Sequence, residues 1–353
     1  MTHRIAVVPG DGIGVDVTRE AVRVLEAVKP QLKQPLELRH FDWGAERYLR
    51  DGTTLPVGAS DELRRDYQAI LFGAVGDPRV KNNIHAHEIL LGLRFQLDLY
   101  INLRPVRLVD ERLTPLKGKR CQDIDMVVFR ENTEGLYANV GGNFKRDTPD
   151  EIAINEDLNT RKGVERIIRA AFEMARTRPR KKVCMTDKAN ALPFAHGLWQ
   201  RTWRAVAPDY PDVETHHLYV DVLAMEMVRA PERFDVIVTS NMFGDVITDL
   251  GAALVGGLGI AASANIHPGR CSLFEPVHGS APDIAGKGIA NPLGAISTAA
   301  MMLTHLGEHK AAAIVDRVVE RAITESRFTR DLGGDLSTET VGGWVADGVA
   351  KAT

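Results

Sequence analysis

Short apolar runs alternate along this chain with segments whose apolar residues recur every three or four positions. The runs have the length of buried strands and fall at Arg4–Pro9, Ala69–Val75, Met126–Phe129, Lys182–Met185 and Phe234–Thr239. The helical spacing falls at Val15–Val28, Glu88–Leu99, Thr160–Ala175 and Ala312–Ser326. This alternation predicts an α/β architecture with a largely parallel sheet.

The bulk composition is that of an ordinary globular protein. Of the 353 residues, 44% are hydrophobic and 26% are charged, and the length allows one large or two medium domains. The net charge of -3 gives no sign of a nucleic-acid partner, whose binding surface is typically basic. No stretch rich in Pro, Gly or Ser interrupts the chain, so composition alone predicts no domain boundary.

The cysteines and the first residues indicate the compartment. Cys121, Cys184 and Cys271 are odd in number and far apart, which predicts neither a zinc site nor a disulfide framework. No apolar run is long enough to cross a bilayer, and MTHRIAVVPGDGIG lacks the layout of a signal peptide. We therefore expect a cytoplasmic protein with no membrane partner.

Three aspartates among apolar or small residues form a candidate metal site. Asp245 and Asp249 lie four positions apart in SNMFGDVITD, so a helix would present both on one face. Asp221 stands in the apolar run LYVDVLAM. Because buried carboxylates need a partner, a shared Mg²⁺ or Mn²⁺ would explain all three. The alternative is an aspartate in the first turn of a helix beside a solvated one.

A second group of residues suits an anionic substrate that carries an alkyl group. In EILLGLR, a helix would place Leu90 and Leu91 on one face with Arg94. Arg104 precedes a proline in NLRP, and Arg130 opens RENTEGLY. Arginine binds carboxylates bidentately, so these residues would suit a dicarboxylate. The alternative is an ordinary core stripe that includes Leu90, with Arg94 at its edge.

Two further residues could transfer protons. Tyr137 ends RENTEGLY and could donate a proton, although a partly buried tyrosine with a satisfied hydroxyl is the commoner case. Lys188 in TDKAN follows the strand-like KKVCM, where partial desolvation would make it a base. A solvated lysine is the alternative.

Two glycine-containing segments could lie near a cofactor. GDGIG at 10–14 follows the first strand but is not G-x-G-x-x-G, so it is a weak dinucleotide signature. The polar loop 275–292, EPVHGSAPDIAGKGIANP, is long enough to be functional, and its small residues allow a ligand close to the backbone. Asp283 is suited to accept hydrogen bonds from ribose hydroxyls and would repel a 2′-phosphate.

Together these segments resemble the β-decarboxylating dehydrogenase family, which includes isopropylmalate, isocitrate, homoisocitrate, tartrate and D-malate dehydrogenases. The resemblance rests on LLGLR, NLRP, RENTEGLY, DKAN, YVD, SNMFGDVITD and EPVHGSAPDIAGKGIANP, and it extends to DLGGDLST at 331–338. It implies an NAD-dependent, metal-requiring homodimer that oxidises and decarboxylates a 2-hydroxy dicarboxylic acid. It also implies a two-domain fold with a large mixed, mostly parallel sheet flanked by helices. Residues 1–101 plus 257–353 would form the cofactor-binding domain, and residues 102–256 the substrate, metal and dimerisation domain.

The resemblance further implies roles for individual residues. Substrate contacts would come from the two leucines and three arginines above together with Asp221. Lys188 would take the hydroxyl proton, and Tyr137 would protonate the enolate carbon after CO₂ leaves. Asp221, Asp245 and Asp249 would hold Mg²⁺ or Mn²⁺. Lys188 and Asp221 would act in the partner subunit's site. Asp221 would therefore serve both as a metal ligand and, beside Lys188, as a catalytic residue.

The cofactor contacts are implied in the same way. NAD would be bound by Glu275, His278, Gly279, Ser280, Ala281, Asp283, Ile284 and Asn291. Asp283 with Ile284 resembles the NAD-dependent relatives, since NADP-dependent ones carry Lys and Tyr there. GDGIG is implied to be scaffold and not a phosphate-binding loop.

A few positions bear on the substrate. Isocitrate enzymes of this family place Ser and Asn where this chain has Glu88 and Leu90, so the resemblance favours an alkyl group and the isopropylmalate branch. We therefore expect conversion of 3-isopropylmalate to 2-oxo-4-methylpentanoate and CO₂, a step of leucine biosynthesis. Three features indicate other substrates. DLGGDLSTETVG resembles the tartrate and D-malate branch and, together with Ala191, makes those acids an alternative, and RENTEGLY makes homoisocitrate another. A non-catalytic regulatory subunit is a further alternative, but it would be expected to lack a metal acid, the lysine or the tyrosine.

Overall fold

The structure is a computed structural model that describes residues 2–352. In chain order these residues form the strands β1 (His3–Gly10), β2 (Leu36–His40), β3 (Ala69–Ala74), β4 (Ile101–Arg107), β5 (Asp125–Glu131), β6 (Gly141–Phe144), β7 (Ile152–Asn155), β8 (Lys182–Asp187), β9 (Glu214–Tyr219), β10 (Val236–Thr239), β11 (Ala262–Ile266) and β12 (Ser272–Pro276). The α-helices of the same span are α1 (Ile13–Val28), α2 (Ala45–Asp51), α3 (Ala59–Asp66), α4 (Ile84–Ala86), α5 (Gly92–Gln96), α6 (Arg161–Thr177), α7 (Ala195–Val206), α8 (Val220–Arg229), α9 (Asn241–Val255), α10 (Leu293–His305), α11 (His309–Thr324) and α12 (Thr338–Lys351).

The chain divides into two compact units. The first is built from the residues up to Leu99, from Arg107–Cys121 and from the residues after Gly251. The second is built from Tyr100–Val106 and Gln122–Gly251. Residues 107–121, which fall inside the second domain expected from the sequence, thus belong to the first unit. The assignment of cofactor binding to one domain and of substrate, metal and dimer contacts to the other stays a prediction.

The first unit is built on five strands in the order β2-β1-β3-β12-β11. β1 is parallel to both β2 and β3, β12 is parallel to β3, and β11 is antiparallel to β12. Helix α1 packs on α12 and α10, and α11 packs on α10 and α12. All six residues of β3 are buried, which explains why AILFGA is an uninterrupted apolar run.

The second unit contains the strand order β4-β5-β10-β8-β9. β10 is parallel to both β5 and β8, and β8 is parallel to β9. Helix α6 packs on β5, β8 and β10 and is capped by the Thr160 hydroxyl, which accepts a hydrogen bond from the Gly163 N–H. β6 and β7 form a separate antiparallel hairpin whose residues are all exposed.

The structure confirms the predicted α/β class with a mixed, mostly parallel sheet flanked by helices. It departs from the regular helix predicted over Glu88–Leu99. A π-helix spans His87–Leu91 and is followed by the short α5, and single π-turns of this kind occur within helices, frequently at functional sites. Among residues 2–352, no helix combines the length and the apolar character that a bilayer crossing requires.

Candidate active site

An acid–arginine cluster lies in the second unit and consists of Arg104 on β4, Arg130 on β5, Tyr137, and Asp245 and Asp249 on α9. Arg104 Nη2 lies 3.3 Å from Asp245 Oδ1, and its Nη1 lies 3.8 Å from Asp249 Oδ1. Arg130 also forms an ion pair with Asp245. The two guanidinium groups are buried, whereas the side chains of Asp245 and Asp249 are 35% and 59% exposed. The predicted helix face with two carboxylates is therefore present, and two buried cations lie against it.

Parallel strands and one glycine produce this arrangement. Arg130 is paired in register with Thr239, so α9 begins beside the carboxyl end of β5. Asn241, the first residue of α9, accepts a hydrogen bond from Arg130 Nε at 2.9 Å. A Cβ added at Gly244 would lie 2.6 Å from Arg130 Cβ and Cγ, so a larger residue would push α9 off the arginine.

Tyr137 completes the cluster. Its hydroxyl donates a hydrogen bond to Asp245 Oδ2 at 3.0 Å, and Arg130 Cζ lies 5.4 Å from the centre of its ring. Burial, followed by the neighbouring Asp245 carboxylate, raises the pKa of Tyr137, while Arg130 opposes that shift. The phenol therefore keeps its proton at neutral pH, which is the state that a proton donor requires.

The two acids on α9 have the chemistry of a site for a hard divalent cation. Burial raises the pKa of Asp249, Arg104 opposes this shift and Asp245 adds to it. Carboxylate oxygens on one helix face suit Mg²⁺ or Mn²⁺, so the donor set fits the predicted metal. Among residues 2–352, however, no three His, Cys, Asp or Glu side chains come together closely enough to hold a metal. One chain thus brings together two of the three predicted ligands.

The third acid, Asp221, pairs with Lys188 instead. Lys188 follows β8, and its Nζ lies 2.7 Å from Asp221 Oδ1. This hydrogen bond lowers the pKa of Asp221. The apolar neighbours of Asp221 do not bury it, because it lies in the first turn of α8 with its side chain 62% exposed. The structure therefore joins the predicted lysine to one predicted metal ligand.

In the first unit, Arg94 forms a buried ion pair with Glu275, whose Oε1 lies 2.7 Å from Arg94 Nη2. Asn265 Nδ2 donates to the same oxygen at 2.8 Å. Leu90 packs partly buried against the apolar core of this unit, and Leu91 is also half-buried. Leu90 therefore belongs to the core, as the alternative of an ordinary core stripe predicted. Both leucines nevertheless keep some apolar surface exposed.

A cavity of about 410 Å³ in the first unit coincides with the predicted cofactor loop. It is lined by Ile13, Gly259, His278, Ile284, Ile289, Ala290, Asn291, Arg330 and Asp331. Burial lowers the pKa of His278, so its ring is neutral at physiological pH. Within residues 2–352 the buried His278 Nε2 has no hydrogen-bond partner. A neutral ring and apolar side chains around an unpaired ring nitrogen fit a planar base such as adenine.

Backbone contacts hold the loop over the GDGIG segment. The Ile13 N–H donates to the Ser280 carbonyl at 2.7 Å, and a Cβ at Gly12 would lie 2.0 Å from that same oxygen. The Gly286 N–H donates to Asp16 Oδ2 at 2.8 Å. GDGIG therefore contacts the loop directly, and its role as scaffold and not as a phosphate-binding loop stays a prediction.

The loop residues predicted to bind the cofactor occupy different settings. His278, Ile284 and Asn291 line the cavity, while Gly279 and Asp283 are exposed. The other three predicted residues differ again. Ser280 is buried and accepts the hydrogen bond from Ile13, Ala281 has a φ of 37°, and Glu275 forms the ion pair with Arg94.

Sequence reasoning missed the cavity residues outside the loop, namely Ile13, Gly259, Arg330 and Asp331. Two of them could have been found, because Ile13 lies in GDGIG and Asp331 in DLGGDLST, both of which carry the family resemblance. A larger cavity of about 540 Å³, lined by Arg112, Leu113, Ser326, Phe328 and residues 332–335, contains none of the predicted site residues.

Comparison with known proteins is consistent over nearly the whole chain. Residues 4–345 match the isocitrate/isopropylmalate dehydrogenase family. The chain is 48% identical to a 3-isopropylmalate dehydrogenase of Thermobifida fusca, over 99% of this chain and 98% of that one. It is 49% identical to a 3-isopropylmalate dehydrogenase of Mycobacterium tuberculosis, over 94% and 98%.

Solved structures agree on the fold. The isocitrate dehydrogenase of Methylococcus capsulatus superposes with a TM-score of 0.89 at 40% identity, covering 99% of this chain and 100% of that one. A β-decarboxylating dehydrogenase of Thermococcus kodakarensis superposes with a TM-score of 0.80 at 35% identity, covering 99% and 96%. The predicted fold type is confirmed.

Proposed function

The chain belongs to the isocitrate/isopropylmalate dehydrogenase family, and from that premise we propose that it is the decarboxylating dehydrogenase of 3-isopropylmalate in leucine biosynthesis. It oxidises this 2-hydroxy acid with NAD and releases 2-oxo-4-methylpentanoate and CO₂. The observation that carries the substrate choice is the name of its relatives at 48% and 49% identity over nearly their full lengths. The structural relative named for isocitrate is more distant, at 40%.

The side chains at Leu90 and Leu91 support an alkyl-bearing substrate. Both are apolar, partly exposed and only a few residues before the buried Arg94. An apolar surface there favours the isopropyl group over the third carboxylate of isocitrate, since an unpaired carboxylate would lose its hydration. Arg94, Arg104 and Arg130 bind the substrate carboxylates in this proposal.

Proton transfers are assigned to two residues. Lys188 would take the proton of the substrate hydroxyl, and bound NAD would supply the hydride acceptor for this oxidation. Tyr137 then protonates the enolate carbon left by CO₂, and its raised pKa supports this role because the phenol is protonated at neutral pH.

Asp245 and Asp249 would hold Mg²⁺ or Mn²⁺ together with Asp221 of a second copy of the chain. The bound metal supplies Lewis-acid polarisation of the new carbonyl, which helps decarboxylation. The buried guanidinium groups of Arg104 and Arg130 hold the two carboxylates of α9 in place.

NAD is proposed to occupy the cavity under loop 275–291 with its adenosine half. The half-buried, neutral His278 and the apolar Ile284 suit the base. Asp283 is exposed beside them, where its carboxylate can accept hydrogen bonds from ribose hydroxyls and repel a 2′-phosphate. This supports NAD over NADP.

A homodimer is supported by exposed apolar side chains in the second unit. Phe144, Ile152 and Ile154 on the β6–β7 hairpin are 50% or more exposed, as is Val246 on α9. Met225 on α8 is also exposed. An interface between subunits would remove such side chains from water. In the dimer, Lys188 and Asp221 act in the partner subunit's site. The unpaired Cys121, Cys184 and Cys271 agree with a cytoplasmic location.

A second candidate is D-malate or tartrate, because Ala191 is small and exposed close to Lys188 and would leave room for a broader substrate range. Homoisocitrate is the third. NADH formation with 3-isopropylmalate, D-malate, tartrate, homoisocitrate and isocitrate, each with Mg²⁺ or Mn²⁺, decides among them. We expect the highest kcat/KM with 3-isopropylmalate and NAD. A higher value with another acid would overturn the substrate proposal, and inactivity with all of them would favour a regulatory subunit.

A further inference from the structure

His196 is buried beneath Lys188 and is not used by the proposed chemistry. It lies in the first turn of α7, eight residues after Lys188, and is 1% exposed. The backbone N–H of Lys188 donates a hydrogen bond to His196 Nδ1 at 3.0 Å. Because Nδ1 accepts this bond, the ring is the tautomer that carries its proton on Nε2.

The other ring nitrogen faces an ionised acid. His196 Nε2 lies 3.4 Å from Asp157 Oδ2, and the neighbouring imidazole lowers the pKa of Asp157. Asn159 Nδ2 donates to Asp157 Oδ1 at 2.9 Å, and Asn159 in turn accepts from Trp199 Nε1 at 2.8 Å. The carboxylate therefore holds the Nε2–H tautomer and keeps Nδ1 free to accept from Lys188.

The surroundings of His196 connect it to two further segments of the site. The Gly135 N–H, two residues before Tyr137, donates to the carbonyl of Leu158, which adjoins Asp157. The His196 ring also packs against Phe243 of α9, with ring centres 5.2 Å apart. One buried imidazole thus adjoins the segments that carry the proposed lysine, tyrosine and metal acids.

We infer that His196 is a positioning residue that fixes the backbone of Lys188, and therefore the reach of its amino group, through the Lys188 N–H···Nδ1 hydrogen bond. This inference rests on the proposed role of Lys188 as proton acceptor. The Lys188 carbonyl is already bound by the N–H groups of Ala191 and Leu192. The hydrogen bond to His196 fixes the amide on the other side of the same residue, where a small displacement would be costly for proton transfer.

Two substitutions separate positioning from packing. His196→Leu fills the space without an acceptor, whereas His196→Asn places its amide oxygen near the position of Nδ1 and can accept from Lys188. Thr202→Val is the matched control, since Thr202 is fully buried on the same helix but bonds only the Leu198 carbonyl by its side chain. His196→Gln, whose amide reaches the Nε2 position, replaces His196→Leu if the leucine variant does not fold.

Steady-state kinetics with 3-isopropylmalate, NAD and Mg²⁺ gives the first readout. We expect kcat to fall about tenfold or more in His196→Leu with KM for NAD unchanged, to recover largely in His196→Asn, and to stay at the wild-type value in Thr202→Val. An unchanged kcat in His196→Leu, or an equal loss in the asparagine variant, would overturn the inference.

Amide hydrogen exchange over residues 186–192 gives a second readout that needs no activity. Exchange should accelerate in His196→Leu and stay near wild type in His196→Asn. If the wild-type protein turns over no substrate of the panel, the proposed function fails while this exchange comparison still decides the role of His196. Equal exchange in both variants would refute it.

Discussion

The cavity under loop 275–291 in the first unit and the acid–arginine cluster in the second unit differ in how much of each proposed site one chain supplies. The cavity has its wall, its loop contacts and its exposed Asp283 in a single unit. The cluster has two of the three predicted metal acids, while Asp221 pairs with Lys188 elsewhere in the unit. This difference supports the proposal that one chain is enough to bind the cofactor, whereas the metal and proton chemistry needs a second copy.

The largest effect expected on the cluster side is that of Lys188→Ala. Removing the proposed proton acceptor should lower kcat by about a thousandfold, within the range of general-base catalysis. NAD binding, measured by fluorescence titration, should not change. The thermal midpoint should change little, because the lysine amino group pairs with an Asp221 side chain that is 62% exposed, and exposed ion pairs contribute little to stability. Turnover near the wild-type rate would remove Lys188 from the mechanism.

Asp245→Asn should lower kcat by about a hundredfold and weaken Mg²⁺ activation, since the proposed metal ligand, which also pairs with Arg104 and Arg130, loses its charge. The comparison between regions is tested by co-refolding this variant with Lys188→Ala. Hybrid dimers should recover part of the activity, because one of their two sites would combine the intact lysine with the intact aspartate. Absence of any recovery in verified hybrids would mean that each site is built from one chain.

Asp283→Ala probes the cavity side and should have a smaller effect. Loss of the hydrogen bonds to ribose should raise KM for NAD about tenfold and leave kcat nearly unchanged. Relative use of NADP should rise, since a carboxylate that repels its 2′-phosphate is gone. The concentration of Mg²⁺ for half-maximal activity is the control and should stay constant. A change in metal dependence would contradict the separation of the two regions.

A change of pH should act on stability through Glu131, the neighbour of Arg130 in the chain. Glu131 adjoins Arg130, accepts hydrogen bonds from the N–H groups of Thr133 and Glu134, and burial raises its pKa to about 7 from 4.5. The folded state therefore binds a proton more tightly than the unfolded state does. That contribution to stability is complete below pH 4.5 and is lost as pH rises to about 7.

Urea unfolding at several pH values checks this sign. Relative to Glu131→Gln, the wild-type unfolding free energy should decrease between pH 4.5 and 7, by about 1.4 kcal/mol for each unit that separates the two pKa values. Glu173→Gln is the control, because that side chain is 61% exposed on α6 and should show no such difference. A parallel pH dependence of wild type and Glu131→Gln would contradict the expectation.

Local spacing predicted much of the second unit. The four-residue separation of Asp245 and Asp249 determines that a helix presents both, and the apolar FDVIVT before them predicts the strand that positions α9. The same reasoning was wrong about burial at Asp221 and Asp249, whose side chains are 62% and 59% exposed. The apolar neighbours of Asp221 in α8 remain partly exposed themselves, Met225 among them. A pattern of apolar residues in the sequence does not distinguish a buried core from an apolar surface that is exposed in the single chain.

Contacts between residues far apart in the chain could not be predicted from the sequence. Ile13 and Asp331 line one cavity although they lie more than three hundred positions apart, and no spacing rule connects them. The π-helix at His87–Leu91 was missed because its apolar residues keep ordinary helical intervals. The proposed role of His196 could not be predicted either, since it depends on the hydrogen bond from the Lys188 N–H that only the folded chain forms.

The attachment of loop 275–291 to the first βα turn also limits how the coenzyme can be exchanged by engineering. Ser280 rests on Gly12 and Ile13, and Gly286 is bound to Asp16. A graft from an NADP-dependent relative would carry a backbone adapted to its own turn, so transplanting the loop alone should give a protein with a displaced base pocket. Moving residues 10–16 as part of the same cassette would preserve these contacts.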